Sequence, residues 1–139
     1  MKLDRAVFRY IEHELYNYDE TKKEIEELRE DIIERAPLKE TVPNMGYISD
    51  PTARKALKLV SSTAIARMER TVRAIERALA RLSDDHRQLF ELKYRQCLPW
   101  KRVCELMPVS ERTYFRLRRE LVIMVAFEMG LLNEIGKDE

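Results

Sequence analysis

The sequence predicts an all-α protein: an N-terminal helical hairpin and a long helix, packed with a C-terminal helix-turn-helix. Three observations predict it. The 139 residues include only five prolines and three glycines, the residues that interrupt helices, whereas Glu, Arg, Leu and Ala, which favour them, are abundant. Apolar residues recur at steps of three and four, the period of one helix face. The stretch from Ser83 to Glu120 reads as three short helices separated by two breaks.

The hairpin is assigned to residues 1–35. Leu3, Val7, Tyr10, Ile11, Leu15 and Tyr18 keep helical spacing, a break near Asn17 to Thr21 follows, and Ile25, Leu28, Ile32 and Ile33 resume it. The outer face of the second helix, KKEIEELREDIIER, mixes charges at i,i+4 spacing, as a solvated surface does. Residues 36–51, APLKETVPNMGYISDP, hold three prolines and a glycine, so they read as a linker without helix, packing through Met45, Tyr47 and Ile48.

A long helix follows over residues 52–82, capped by Asp50 or Thr52, with Pro51 tolerated in its first turn. Met68, Val72, Ile75, Leu79 and Leu82 hold a four-three-four-three spacing, the seam of a bundle or coiled coil. That stripe serves either the core, against the hairpin, or self-association. Arg67, Arg70, Arg73, Arg77 and Arg81 decorate the same helix; either some of them reach phosphates, or Arg73 and Arg77 pair with Glu69 and Glu76.

Residues 83–132 form the helix-turn-helix unit, and 133–139 an acidic tail. Ser83, Asp84 and Asp85 start a helix with acids where the helix dipole favours them, and Leu89, Phe90, Leu92 and Tyr94 give it an apolar side. A short helix from Pro99 to Met107 is apolar at Trp100, Val103, Cys104 and Met107. Pro108 stops it, because proline cannot continue a helix and restrains the residue before it. Ser110 then caps the last helix, whose stripe is Tyr114, Leu117, Leu121, Met124 and Val125. At about 100° per residue, Arg112, Arg116 and Arg119 fall on the opposite face, with Thr113 and Phe115 on its flanks. Two short helices joined by a tight turn, the second basic outside, form the pattern of a helix-turn-helix. Cys104 takes the site where a small side chain lets the helices approach. Pro108 stands where a turn glycine is common. Beyond Glu120 the last helix is apolar over much of its circumference, which suggests burial in a partner subunit or against the long helix.

The charge layout supports a polyanionic partner. Residues 1–50 carry a net −5, residues 51–120 a net +9 and residues 121–139 a net −3, within a total of +1. A basic middle between acidic ends suits docking of nucleic acid on one part only. Cys97 and Cys104 make no disulfide framework, and no signal peptide or bilayer-long apolar run is present, so a soluble, cytoplasmic, reduced protein with no membrane partner is expected. His13 and His86 are read as surface or helix-end residues. With no second cysteine pair, no glycine-rich phosphate loop and no nucleophile–base motif, neither a metal, a cofactor nor an enzymatic role is expected.

The segment LSDDHRQLFELKYRQCLPWKRVCELMPVSERTYFRLRRELV resembles the fourth conserved region of sigma factors, the part that reads promoter DNA. Together with IEHELYNYDETKKEIEELREDI and SDPTARKALKL, the chain from about Val7 to Leu132 resembles the RinA/ArpU group of phage transcriptional regulators. That resemblance implies a DNA-binding activator of phage late genes in the bacterial cytoplasm. By position it implies that Ser110 caps the recognition helix, that Glu111, Arg112, Thr113, Phe115 and Arg116 lie at the groove, and that Arg118 and Arg119 approach the DNA backbone.

From the residues themselves, Arg112 and Arg116 are placed for forked bonds to guanine, and Lys101, Arg102, Arg118 and Arg119 for phosphates. The partners expected are double-stranded DNA, bacterial RNA polymerase, and a second copy of the chain, as a dimer sooner than a ring. Two rival readings are a terminase small subunit that recognises packaging DNA and a helical interaction module that binds RNA polymerase or another protein without touching DNA.

Overall fold

The computed structural model describes residues 3–41 and 51–132. Among them the chain is all-helical. Helix α1 spans Arg5–Tyr16, α2 Tyr18–Thr41, α3 Pro51–Arg81, α4 Asp84–Leu89, α5 Trp100–Leu106 and α6 Glu111–Glu128, and α4 runs directly into a π-helical turn, Phe90–Arg95. Two compact units form. One joins Met1–Asp19 to Thr71–Glu139; the other is Glu20–Arg70. Both α2 and α3 therefore belong mainly to the second unit while donating an end to the first.

In the Glu20–Arg70 unit, Ile25 and Ile65 are buried, and Arg29 of α2 bonds Glu69 of α3. Ile33, grouped with the apolar stripe by sequence, is 68% exposed. Eight residues past Ile25 it has rotated about 80° off the buried line, whereas Ile32 stays near it. Two boundaries also differ from expectation. The break at Asn17 to Thr21 shrinks to Asn17 alone, whose side-chain amide donates to the His13 carbonyl at 2.8 Å and so satisfies the end of α1. Helix α2 continues to Thr41, through Pro37 and into the stretch read as linker. Met45, Tyr47, Ile48, the cap assigned to Asp50 and the acidic tail lie outside the described residues. Thr52 sits inside the first turn of α3 rather than capping it.

The other unit carries the larger core. Ile11 and Leu15 of α1, Ala74, Ile75 and Ala78 of α3, and Leu121, Val122, Val125 and Ala126 of α6 are 0–1% exposed. Removing one of these Ile, Leu or Val side chains from water stabilises the fold by roughly 1.5–3 kcal/mol. The apolar end of α6 is thus buried within its own chain at Leu121, Val122, Val125 and Ala126, while Ile123 and Met124 are partly covered and Phe127 is exposed. Part of the long-helix seam is core as well: Val72 and Ile75 are buried, and Met68, Leu79 and Leu82 are partly covered.

Two apolar faces of the α4–π segment explain its irregular spacing. Leu89 and Leu92 pack with Val103, Met107, Tyr114 and Leu117 into the core beneath α5 and α6. Phe90 and Tyr94 point elsewhere, toward α1 and the start of α2: Tyr16 meets Tyr94 edge-on at 4.8 Å, and Tyr18 meets Phe90 at 5.4 Å. The π turn closes with Gln96 N–H donating to the Glu91 carbonyl, after which Cys97 adopts φ +57° and Leu98 N–H reaches back to the Leu92 carbonyl. A cysteine thus occupies a left-handed position that glycine fills at least cost.

Helix ends are satisfied by specific side chains. The Arg87 guanidinium donates to the Leu79 and Leu82 carbonyls, both at 2.7 Å, closing α3. Ser83 and His86 form a reciprocal cap at the start of α4. His86, read as a surface or helix-end residue, is at a helix end but is buried, with Nε2 2.9 Å from Glu120 of α6. The expected pairing of Arg77 with a neighbour on its own helix is replaced: Arg77 and Arg81 both reach Glu128 of α6, at 3.0 and 3.4 Å. Glu76 instead accepts from the Tyr18 hydroxyl at 2.6 Å, and Glu69 binds Arg29. The Tyr18 hydroxyl, partly buried and bonded to that carboxylate, is pushed up to about 12. In both corrections contacts between helices outweigh pairs within one helix, which contribute only about 0.2–0.5 kcal/mol each even at i,i+4 spacing.

Candidate nucleic-acid interface

Helices α5 and α6 are separated by Met107 to Ser110. Val103 of α5 and Met107 just beyond its end pack with Tyr114 and Leu117 of α6, with Cys104 and Val109 against the same cluster. The small Cys104 side chain sits where sequence placed it. Ser110, in extended geometry, accepts from the Thr113 backbone N–H at 3.1 Å, and its hydroxyl donates to Thr113 Oγ1 at 3.0 Å. Glu111 then occupies the first turn, where the helix dipole favours an acid.

Four side chains share the outer arc of α6. Counting about 100° per residue, Phe115, Arg119, Arg112 and Arg116 fall within roughly a quarter-turn, and all four are exposed. Arg112 makes no ion pair among the described residues. Arg116 is 59% exposed and reaches Glu120, one turn along, at 3.1 Å. Arg119 is exposed and engaged within the protein. At the start of α5, Lys101 lies 5.8 Å above the Trp100 ring, and Arg102 pairs with Glu105 at 3.4 Å. Surface pairs of this kind contribute about 0–1 kcal/mol, so little holds these side chains in place.

Arg118 is the exception. Placed toward a DNA backbone by resemblance, it is instead turned inward, donating through Nε and Nη2 to the two Glu12 carboxylate oxygens, each at 2.8 Å. Tyr94 donates its hydroxyl to the same carboxylate at 2.7 Å. The cause is position: Arg118 stands at the border between the apolar stripe and the outer arc, on the side against which α1 packs. Burial alone would raise the Glu12 carboxyl, but the bonds from Arg118 and Tyr94 outweigh it and leave the group below its ordinary range. The same bonds hold Arg118 firmly protonated. Glu12, His86 and Glu120, none of them among the site residues predicted from sequence, thus fix α6 against the rest of its unit. Glu120, raised by burial and lowered more by His86 and Arg116, also titrates below its ordinary range.

One further residue joins the arc. Trp100, which sequence assigned to the buried side of α5, is 36% exposed and stands 6.2 Å from the Phe115 ring. Its position at the first residue of α5, just before Lys101 and Arg102, was the available signal. Among the described residues no cluster of three or more His, Cys, Asp or Glu is arranged to hold a metal ion, and no helix is long and apolar enough to cross a membrane.

A family model described as "Protein of unknown function (DUF722)" matches residues 2–126. No curated protein and no solved structure matches the chain. Since the match spans nearly the whole chain, the protein belongs to the DUF722 family.

Proposed function

We propose that the protein is a sequence-specific double-stranded-DNA-binding transcriptional regulator that inserts α6 into the major groove. The observation that carries the reading is the outer arc of α6, where Arg112, Arg116 and Arg119 are exposed on a helix locked from behind by its apolar stripe. A helix about 10–12 Å across fits the major groove, where arginine forks match guanine O6 and N7. Arg112 and Arg116 read bases; Lys101, Arg102 and Arg119 hold phosphates and confer salt dependence. The resemblance to the RinA/ArpU group adds the role of an activator of phage late genes; RNA polymerase as a second partner and a dimer as the working form are further parts of the proposal and do not come from that resemblance.

The test is enrichment of the full chain's targets from a random duplex pool, with retention followed as salt rises. The reading expects one sequence to emerge and retention to fade with salt. A chain that retains no duplex at low salt, or that retains every sequence alike, contradicts it. Solution mass with the enriched duplex separates regulation, as a monomer or dimer, from packaging by a ring of eight or more chains.

A further inference from the structure

The outer arc of α6 contains one apolar side chain that the core does not explain. Phe115 is 41% exposed and takes no part in the core formed by Leu89, Leu92, Val103, Met107, Tyr114 and Leu117. Arg112 lies three residues before it and Arg119 four after, so it is set among guanidinium groups on the same helix face. Its ring is nonetheless held. Tyr114 meets it edge-on at 5.0 Å, Trp100 stands tilted at 6.2 Å, and the Arg118 guanidinium, fixed by Glu12, lies 5.9 Å from its centroid. Trp100 is in turn topped by Lys101. The result is a rigid apolar shelf with cations on both sides.

An apolar contact ringed by positive charge suits a partner that offers an apolar group inside an anionic setting. The major groove of DNA has one such group, the C5-methyl of thymine. We propose that Phe115, buttressed by Trp100, selects a thymine by packing against its methyl group. This rests on the reading of α6 as the groove helix and names a base that the arginines do not read. Phe115 is the contacting residue; Trp100 positions it.

The experiment uses the duplex enriched by the full chain, with each thymine replaced in turn by uracil, which removes only the methyl. A buried methyl contributes about as much as a methylene, so one position is expected to lose roughly three- to fivefold in affinity. The Phe115→Ala protein should bind the thymine and uracil duplexes equally, while Trp100→Leu should narrow the difference. Wild-type protein that binds every uracil duplex as well as its parent, a Phe115→Ala protein that still discriminates, or an enriched sequence without a specified thymine each overturns the proposal. All three leave DNA binding itself intact. Failure of the wild-type chain to retain any duplex would overturn both readings. The comparison of duplexes on wild-type protein needs no variant to fold.

Discussion

Replacing Glu12 by alanine removes the acceptor for three hydrogen bonds, two from Arg118 at 2.8 Å and one from Tyr94 at 2.7 Å. It also strands a guanidinium that is only 30% exposed. Breaking a fully buried pair from one side costs about 3–5 kcal/mol; with Arg118 partly hydrated, about 2–3 kcal/mol is the expected loss. At a urea slope of about 1–3 kcal/mol per molar, the midpoint should fall by roughly 0.7–3 M. Circular dichroism and fluorescence of Trp100, the single tryptophan, should report the transition together. The double variant Glu12→Leu with Arg118→Met removes both charges and should recover most of the loss, because apolar side chains of similar size replace a buried pair at little cost. A midpoint change below about 0.3 M for Glu12→Ala, or a double variant no better than the single one, would refute the claim that this pair fastens α6 to α1.

Two further predictions concern stability. Glu12 and Glu120 both titrate below the ordinary glutamate value of 4.5 in the folded protein, so the unfolded chain takes up their protons first as the pH falls. The stability they contribute is complete above that value and is lost as the pH drops through their lower folded values; urea midpoints measured from neutral pH downward should fall there, and less so in Glu12→Gln. Cys97→Gly should raise stability by about 1 kcal/mol, because cysteine at φ +57° bears a left-handed penalty of roughly 1–2 kcal/mol that glycine escapes while losing more chain entropy on folding; an unchanged or lowered urea midpoint would count against it.

The parts of the fold legible in the sequence were those governed by local rules. Pro108 and Ser110 mark the end of one helix and the start of the next because a missing N–H and a capping hydroxyl act within a turn. The stripe of α6 and the core beneath α5 follow from helical periodicity, which needs no knowledge of the partner. The features that sequence misplaced depend on segments far apart in the chain. Arg118 binds Glu12 across 106 positions, and Arg77 binds Glu128 across 51, so neither spacing nor composition announces the pair. A helical wheel places Arg118 near the outer arc; only the location of α1 turns it inward. The left-handed backbone at Cys97 leaves no mark in the sequence for a related reason, since the residue that usually signals it is glycine. Hydrophobicity alone places Trp100 in the core, although a first helical residue has no preceding turn to cover it.

The central claim is that α6 reads bases while the start of α5 holds phosphates, and the most direct measurement compares Arg112→Ala with Lys101→Ala on the enriched duplex and on a scrambled duplex over a range of salt. Arg112→Ala should lose about 1–3 kcal/mol on the enriched duplex and much less on the scrambled one, whereas Lys101→Ala should weaken both alike and lower the salt slope by about one. Equal losses on the two duplexes from both variants would contradict direct readout by α6.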